Sequence, residues 1–345
     1  MVSERFLPAE WSDQDAVLMA WPHQRSDWSY MLDQIQSCYI EIIKKITLFQ
    51  KVILLIPDDN RTEKLIKSQN LSVIICFIEV DDTWIRDYGP ITLNSRSGYI
   101  VANFKFNGWG LKYKSEQDNL VINRLNELSF FSSATVIEDH LGFTLEGGSI
   151  ESDGRGTILT TRKCIDSANR NSSLSFDERI NYIKDVLGAS KVLVLNHGYI
   201  EGDDTDSHID TLARFCDPET IAYVAPTDSD DSHYSELKKM EEELKLFRDN
   251  NGRPFKLVPL SMAEPVYNGD KRLPATYANF LILNSALLVP LYGSKTDSLA
   301  LNQLQKVFKN RRVIGVNCLP LIQENGSLHC ATMQIPAGAL NSNVF

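Results

Sequence analysis

The stretch ALLVPLYGSKTDSLALNQLQKVFKNRRVIGVN, residues 286–317, indicates how the chain folds. Its apolar runs predict strands at 286–293 and 312–317, and helical periodicity between them predicts a helix near 297–309. Strands that alternate with helices are typical of an α/β fold. We therefore expect an α/β protein whose repeating unit is a strand, a helix and a second strand.

The same pattern occurs four more times before this segment. Ser175 is expected to cap the helix of the third unit. The strand, helix and strand of each unit are predicted at 16–22, 28–50 and 51–57; at 99–106, 115–130 and 134–139; at 156–161, 176–187 and 191–196; and at 220–225, 233–249 and 255–260.

Five similar units favour a closed ring over the doubly wound sheet that is the default for alternating strands and helices. The unusual polar residues fall between the units, and equivalent connections would meet at the central axis of a ring. Motifs that are far apart in the sequence would then share one pocket. We expect residues 1–345 to form a single domain of five such modules.

Composition argues against several classes of protein. The chain has 345 residues, 43% of them apolar, and a net charge of −10 from 35 basic and 45 acidic residues. An acidic chain is not expected to bind nucleic acid, whereas it suits a small cationic ligand. No apolar run is long enough to span a bilayer, the opening residues MVSERFLPAEW contain no apolar run of the length expected for a signal peptide, and the six cysteines form no CxxC pair. We expect no membrane partner and a reducing, cytoplasmic location.

The densest polar cluster is DDTDSHID, residues 203–210. Its alternate residues would share one face if the segment were a strand. Such a face would hold either a cationic ligand or a metal ion, and zinc or manganese would suit histidine and carboxylates. The alternative is a polar turn that binds neither. The calcium-loop pattern is excluded because its glycine and its final glutamate are not in register. The residues concerned are Asp204, Asp206, His208 and Asp210.

Two further motifs supply carboxylates. DDTWIRDYGP, residues 81–90, contains Asp87, which is either the cap of a turn or a second carboxylate for the same ligand. In the second case Trp84 would form an aromatic wall suited to a planar cation. LEGGSI, residues 145–150, places Glu146 before two glycines, and is either a turn with an exposed glutamate or a buried carboxylate that orients a histidine.

Near the C-terminus, GSLHCATMQIP (326–336) places His329 beside Cys330. The run is predicted to be extended, so these two side chains should point to opposite faces, and the proton partner of the thiol must come from elsewhere. If Cys330 and His208 meet, they form a thiol nucleophile and its acid–base group, with Glu146 orienting the imidazole.

Two carboxylates, Asp87 and Asp210, would then remain. Paired carboxylates bind a guanidinium through charge-assisted hydrogen bonds, and the positive charge of such a substrate would favour the thiolate. A cysteine protease has no need of this pair beside the scissile bond. The set of residues therefore favours a hydrolase that acts on guanidines.

Four separated motifs, TWIRDYGP, LEGGSI, GDDTDSHIDTLARF and HCATMQ, and the opening PAEWSDQDAVLMAWP resemble those of agmatine deiminases, also called agmatine iminohydrolases. These enzymes are part of the guanidine-modifying superfamily, which also contains the bacterial peptidyl-arginine deiminases. The resemblance runs nearly from end to end. It implies the pentein fold, a five-bladed ββαβ propeller with pseudo-five-fold symmetry, as a single catalytic domain over residues 1–345.

The resemblance also implies an activity and a set of site residues. The activity is hydrolysis of agmatine to N-carbamoylputrescine and ammonia, a step of putrescine biosynthesis, through an amidino-cysteine intermediate and without a metal or other cofactor. Members of the family often form homodimers. The implied roles are nucleophile for Cys330, general acid and base for His208, partner of that histidine for Glu146, guanidinium binding for Asp87 and Asp210, substrate contact for Asp204, and pocket wall for Trp84.

Several alternatives stay open at this stage. The substrate could be arginine or a peptidyl-arginine; for free arginine, Arg86 or Arg214 would clamp the α-carboxylate unless each is a structural ion pair. The four alternate residues of 203–210 could instead form a metal-dependent hydrolase, or bind polyamines without catalysis. Ser327 stands where the family usually has a glycine, which puts substrate preference in question.

Overall fold

The computed structural model describes residues 5–226 and 228–344. The strands are β1 (Arg5–Phe6), β2 (Gln14–Ala20), β3 (Lys51–Ile56), β4 (Val73–Phe77), β5 (Ile91–Ser95), β6 (Gly98–Lys105), β7 (Thr135–Thr144), β8 (Ile150–Ser152), β9 (Thr157–Thr161), β10 (Lys191–Leu195), β11 (Ala213–Asp217), β12 (Thr220–Val224), β13 (Lys256–Leu260), β14 (Tyr267–Asn268), β15 (Lys271–Arg272), β16 (Leu281–Ile282), β17 (Ala286–Leu291), β18 (Arg312–Asn317) and β19 (Met333–Pro336).

The α-helices are α1 (Leu32–Ile46), α2 (Asn60–Ser68), α3 (Ile85–Tyr88), α4 (Gly108–Leu111), α5 (Val121–Glu127), α6 (Arg162–Ile165), α7 (Phe176–Val186), α8 (Tyr234–Leu246) and α9 (Asp297–Val307). Short 3-10 helices occupy Asp27–Met31, Asp118–Leu120, Gly147–Ser149, Ile209–Thr211, Leu321–Glu324 and Ser342–Val344. Within the described ranges, no helix has the length and apolar character needed to cross a membrane.

Five sheets share one topology. In each, a middle strand pairs antiparallel with one neighbour and parallel with the other, and a helix lies in the connection to the parallel partner. The strand orders are β19–β2–β3–β4, β1–β5–β6–β7, β10–β9–β8, β11–β12–β13 and β16–β17–β18, and β14–β15 is a separate hairpin. None of these sheets closes on itself within the described residues.

The α/β class predicted from the sequence is confirmed, and each predicted strand–helix–strand segment contains the expected elements. The helices α1, α5, α7, α8 and α9 fall inside the five predicted helical ranges, and the helix predicted at 115–130 is shorter than expected, at Val121–Glu127. Ser175 caps α7 as predicted, in a capping box with Glu178. Such a cap contributes about 1 kcal/mol because it satisfies amide groups that have no partner inside the helix.

The middle strands lie in the core. Nearly all residues of β2 and β3 are buried, since parallel strands are covered on both faces and their sequences are correspondingly apolar. Helix α1 buries Ile35, Ile42 and Ile46 along one face, as its apolar periodicity requires. A rigid apolar interior of this kind holds the connections between the strands at fixed positions.

Two segments that were predicted to be extended are turns. In 326–336 the strand begins only at Met333, and the residues around Cys330 form a turn. In 203–210, the carboxylate of Asp203 accepts hydrogen bonds from the amides of Thr205 and Ser207, at 3.2 and 2.7 Å. Local bonding of this type competes with strand formation, so the prediction that alternate residues share one strand face was wrong.

The connections between successive sheets carry the predicted site residues. Asp87 follows β4, Glu146 follows β7, His208 and Asp210 follow β10, and Cys330 follows β18. Connections that are distant in the sequence thus lie at equivalent places in the topology.

Candidate active site

A cavity of about 390 Å³ is lined by four of the predicted site residues, Cys330, Asp87, Asp204 and Trp84. The other lining residues are Asp27, Asp82, Trp109, Tyr113, Thr205, Glu324, Asn325 and Gly326. The three remaining predicted residues, Glu146, His208 and Asp210, are buried beside this cavity. The structure therefore brings residues from four connections to one place.

The thiol of Cys330 lies between an amide and a carboxylate. Its Sγ is 3.3 Å from Nδ2 of Asn279 and 3.6 Å from Oδ2 of Asp210. Burial raises the pKa of the Cys330 thiol well above its ordinary value, and the charges of Asp210 and Asp87 raise it further. The free protein therefore holds a neutral thiol, and a positive charge placed in the cavity would favour the thiolate.

His329 has a partner other than the thiol beside it. Its Nδ1 lies 2.8 Å from Oδ2 of Asp210, and its Nε2 lies 2.7 Å from Oε2 of Glu10. Both ring nitrogens of His329 are thus engaged by carboxylates, and the predicted extended backbone was wrong. That the proton partner of Cys330 comes from elsewhere stays a prediction. His329 instead orients Asp210, and its hydrogen bond and charge lower the pKa of Asp210 although burial would raise it.

His208 is buried and faces Asp87, with 3.5 Å between Nδ1 and Oδ1. Burial alone would lower the pKa of His208, but Asp87, Cys164 and Glu146 together raise it well above its ordinary value. These negative groups favour the protonated imidazole, which can donate a proton. Its role as the general acid and base stays a prediction.

Glu146 lies next to His208, but its hydrogen bond comes from elsewhere. Nε of Arg170 donates to Oε1 of Glu146 over 2.6 Å, and both side chains are almost fully buried. The ligand-type atoms of Glu146, Cys164 and His208 all lie within 4.8 Å of one another. Glu146, the predicted partner of His208, therefore lies near it within a larger cluster but is hydrogen-bonded to Arg170.

Gly148 allows Asp87 and His208 to approach. A Cβ at this position would lie 2.7 Å from both Oδ1 of Asp87 and Nδ1 of His208, and 3.3 Å from Oδ2 of Asp210. The amide of Gly148 donates to Oδ1 of Asp87 over 2.8 Å, and Nε1 of Trp109 donates to Oδ2 over 2.9 Å. Two fixed donors thus hold one carboxylate of the predicted pair.

Asp210, the second carboxylate of the predicted pair, has one oxygen that accepts no hydrogen bond from the described residues. Oδ2 of Asp210 accepts from His329 and, over 3.2 Å, from Nδ2 of Asn279. Oδ1 is buried and has no hydrogen-bond partner among the described residues. A buried acceptor of this kind is costly unless a ligand donates to it, and a guanidinium is such a donor.

Four more carboxylates line the cavity, from Asp27, Asp82, Asp204 and Glu324. Burial raises the pKa of Asp82 to about 7, and the surrounding acidic groups add to the rise. Oδ2 of Asp204 accepts from Tyr113 Oη over 2.8 Å and from Asn325 Nδ2 over 2.9 Å. No lysine or arginine of the described chain lines this cavity. The cavity suits a cation.

The ring of Trp84, the predicted aromatic wall, packs closely against Gly326. A Cβ on Gly326 would lie 2.6 Å from the ring of Trp84, so only glycine allows this packing. The ring of Trp84 also lies 5.7 Å from that of Trp28. Ser327 points elsewhere, since its hydroxyl is 2.9 Å from Oη of Tyr292 and it does not line the cavity.

The two arginines considered for a carboxylate clamp do not line the cavity. Arg214 is fully buried and forms ion pairs with Glu10 at 2.5 Å and Glu151 at 2.8 Å. Nη1 of Arg86 donates to Gln334 over 2.6 Å, and Arg86 lines a second cavity of about 490 Å³. Neither can contact a ligand held beside Cys330 in this arrangement.

The four-residue metal site is not formed. Asp206 forms ion pairs with Arg170 at 2.5 Å and with Lys112 at 3.0 Å. Asp204 and Asp210 form hydrogen bonds with other residues. Positive φ at Asp206 and Ser207, 68° and 67°, turns the backbone so that the alternate side chains diverge. The metal-hydrolase alternative built on these residues was therefore wrong.

Sequence reasoning missed Asn279. Its Nδ2 contacts both Asp210 and Cys330, and its Oδ1 accepts from the amide of His329 over 2.8 Å. It lies in LPATYANF (273–280), a loop without charged residues, where an isolated asparagine gives no recognisable pattern. Sequence reasoning also missed Trp109, Arg170 and Cys164, because no pattern marks them and only the fold brings them to the site.

Residues 6–336 match the family model described as Porphyromonas-type peptidyl-arginine deiminase. The chain belongs to this family. This chain is 46% identical to a protein from Porphyromonas gingivalis whose crystal structure is described as a "Putative Arginine Deiminase". The two structures superpose with a TM-score of 0.92, over 98% of this chain and 100% of the Porphyromonas gingivalis chain.

Two further relatives carry agmatine in their names. The solved structure of a cysteine-to-serine variant of C. jejuni agmatine deiminase with its substrate bound is 38% identical, with a TM-score of 0.91 and coverage of 97% of each chain. The protein from Legionella pneumophila named "Putative agmatine deiminase" is 32% identical over 340 residues, which are 96% of this chain and 94% of its own length.

We expect Gly148→Ala to lower the pKa of His208, because the added methyl group separates Nδ1 from Asp87, the residue that contributes most to raising it. The pKa is measured by NMR titration of histidine-labelled protein, with a His208→Gln spectrum to assign the signal. Gly142→Ala is the matched control, since nothing lies within 4 Å of its Cβ. An unchanged His208 pKa in Gly148→Ala would contradict this account.

We expect Asp210→Asn to speed alkylation of Cys330 by iodoacetamide at pH 8. Asp210 raises the thiol pKa, so removing its charge lowers that pKa and increases the thiolate fraction. The amide oxygen can still accept from His329 and Asn279. The rate is followed by mass spectrometry of the Cys330 peptide, with exposed Asp230→Asn as the control. Equal or slower alkylation in Asp210→Asn would rule out the electrostatic explanation.

Proposed function

We propose that this protein hydrolyses agmatine to N-carbamoylputrescine and ammonia through a covalent amidino-cysteine intermediate. The observation that carries the proposal is the Cys330 thiol, which lines a cavity together with Asp87, lies 3.6 Å from the buried Asp210 carboxylate, and meets no basic side chain of the described chain in that cavity. The C. jejuni agmatine deiminase with bound substrate is a cysteine-to-serine variant, which supports assigning the nucleophile to a cysteine.

The guanidinium binds between the two carboxylates. The free Oδ1 of Asp210 accepts from its N–H groups, and Asp87 accepts from the opposite side. Trp84 covers the planar cation as an aromatic wall. These contacts place the central carbon beside Sγ of Cys330, which converts a bimolecular attack into an effectively unimolecular one.

Binding of the cation prepares the thiol for attack. The positive charge offsets Asp87 and Asp210, so the thiol of Cys330 loses its proton to solvent more readily. Nδ2 of Asn279 donates toward the sulfur and stabilises the thiolate. The thiolate adds to the guanidinium carbon, and a tetrahedral adduct forms.

Proton transfer by His208 completes both halves of the reaction. The imidazolium gives its proton to the departing nitrogen, ammonia leaves, and an S-alkylthiouronium remains on Cys330. The neutral imidazole then takes a proton from a water molecule as its oxygen attacks the same carbon. The C–S bond breaks, the added hydroxyl loses its proton to solvent to form the ureido carbonyl, and the thiolate is regenerated while His208 keeps the proton taken from the water. A single acid–base residue of this kind typically contributes ~10²–10⁴ in rate.

Agmatine fits the cavity better than arginine does. Agmatine carries a second positive charge at its far end, and Asp27, Asp82, Asp204 and Glu324 supply carboxylates for an ammonium group. Arginine carries an α-carboxylate, which these four groups repel and which no lining lysine or arginine of the described chain can bind. The name of the Porphyromonas gingivalis structure, an arginine deiminase, makes arginine the second candidate.

We also propose that the five sheets stand as blades around one axis, in the pentein arrangement. Support comes from their common strand topology and from the connections that meet at the cavity. The pairing of β19 with β2 joins the last strand of the described chain to its first module, as a closed ring requires.

We expect ammonia release from agmatine and at least about 100-fold lower kcat/KM for arginine, equivalent to ~2.7 kcal/mol of unfavourable charge contact. Cys330→Ala should abolish turnover while it still binds agmatine in calorimetry. Cys216→Ala, a buried cysteine of β11, is the matched control and should retain activity. Full turnover by Cys330→Ala would refute the mechanism, and a preference for arginine would refute the substrate.

We expect the Cys330→Ala variant to bind agmatine several-fold more tightly at pH 8 than at pH 6. Asp82, with its pKa raised to about 7, is largely neutral at pH 6 and ionised at pH 8, and an ionised carboxylate attracts the cationic substrate. Dissociation constants are measured by calorimetry at both pH values. The added substitution Asp82→Asn should flatten this dependence; an equally steep change in that variant would exclude Asp82 as its cause.

A further inference from the structure

Cys164 is a buried group beside the site that the proposed reaction does not use. It lies in α6 and is fully buried. Its sulfur, a carboxylate oxygen of Glu146 and a ring nitrogen of His208 lie within 4.8 Å of one another. No other set of three such ligands occurs in residues 5–226 and 228–344. A thiol, an imidazole and a carboxylate together are the ligand types that bind zinc.

The spacing is close to that of a zinc site. Zinc binds sulfur at ~2.3 Å and nitrogen or oxygen at ~2.0–2.2 Å, so tetrahedral ligands stand about 3.3–3.8 Å apart. A contraction of the cluster by about 1 Å would therefore complete three coordination positions. The three side chains come from different segments, since Glu146 follows β7, Cys164 lies in α6 and His208 follows β10.

His208 has a ring nitrogen available. Nδ1 faces Asp87, whereas Nε2 is buried and has no hydrogen-bond partner among the described residues. Arg170 donates to Oε1 of Glu146 and places a positive charge beside the cluster. That charge weakens cation binding, so the site suits an ion that binds reversibly rather than one that holds the fold together.

We propose that Glu146, Cys164 and His208 bind Zn²⁺ and that the bound ion inhibits the enzyme. On binding, Zn²⁺ displaces one proton from the Cys164 thiol and one from the His208 imidazolium, and both protons go to solvent. His208 then ligates the metal and cannot donate a proton to the departing nitrogen. The binding site stands on the geometry alone, whereas the inhibition rests on the function proposed above.

The test of binding uses the full chain without an affinity tag, in a Cys330→Ala background that removes the cavity thiol. Equilibrium dialysis against micromolar ZnCl₂ should give one ion per chain. Co²⁺ should give a thiolate-to-metal absorption band. Adding Cys164→Ala or Cys164→Ser should abolish both signals, and adding Cys216→Ala should leave both unchanged. Retention of zinc by the folded Cys164 variants, or no zinc in the Cys330→Ala background, would overturn the proposal.

The test of inhibition uses the wild-type enzyme. Zinc should lower ammonia release from agmatine at least about tenfold, and a chelator should restore it. Zinc that binds with the expected stoichiometry but leaves activity unchanged would overturn the inhibitory role. If agmatine itself gives no ammonia, the proposed function fails, while the zinc and cobalt signals still decide whether the metal site exists.

Discussion

The site depends on a buried chain of charges that runs from Arg214 through Glu10 and His329 to Asp210. The contacts along it measure 2.5, 2.7 and 2.8 Å, and all four side chains are almost fully buried. Both ring nitrogens of His329 face carboxylate oxygens, so the imidazole links Glu10 to Asp210. Removing one member of such a chain leaves a buried charge unpaired, which costs about 3–5 kcal/mol. The chain keeps Asp210 ionised and fixes its orientation toward Cys330.

Because Asp210 stays charged, negative charge accumulates around the thiol. Asp87 stands close by, and both carboxylates oppose ionisation of Cys330. Under the proposed function, the carboxylates that would bind a guanidinium also keep the Cys330 thiol protonated until the cation arrives. His208 shows the reverse effect, because the negative groups around it keep its proton in place. On that proposal the substrate supplies the positive charge that favours the thiolate, and reactivity is tied to binding.

Apolar periodicity was enough to predict the α/β class and the positions of α1, α5, α7, α8 and α9, since these helices bury one face against the sheets. It failed at 203–210, where alternate acidic residues imitate a strand although side-chain bonds from Asp203 form a turn. The positions of Asn279 and Cys164 at the site could not be predicted from the sequence, because they arise only from proximity to residues that are distant in the sequence. Glu146 was expected beside His208, and it is there, but Arg170, which holds it, could not be foreseen from spacing.

The pairing of β19 with β2 bears on how the protein is made. Strand β2 emerges early from the ribosome, whereas β19 and the turn that carries Cys330 emerge after every other strand of the described chain. Until then the edge of β2 that β19 covers is exposed, and an exposed strand edge can pair with other chains. The turn that carries Cys330 also carries His329, the partner of Asp210, so the thiol and that partner reach the site together with β19.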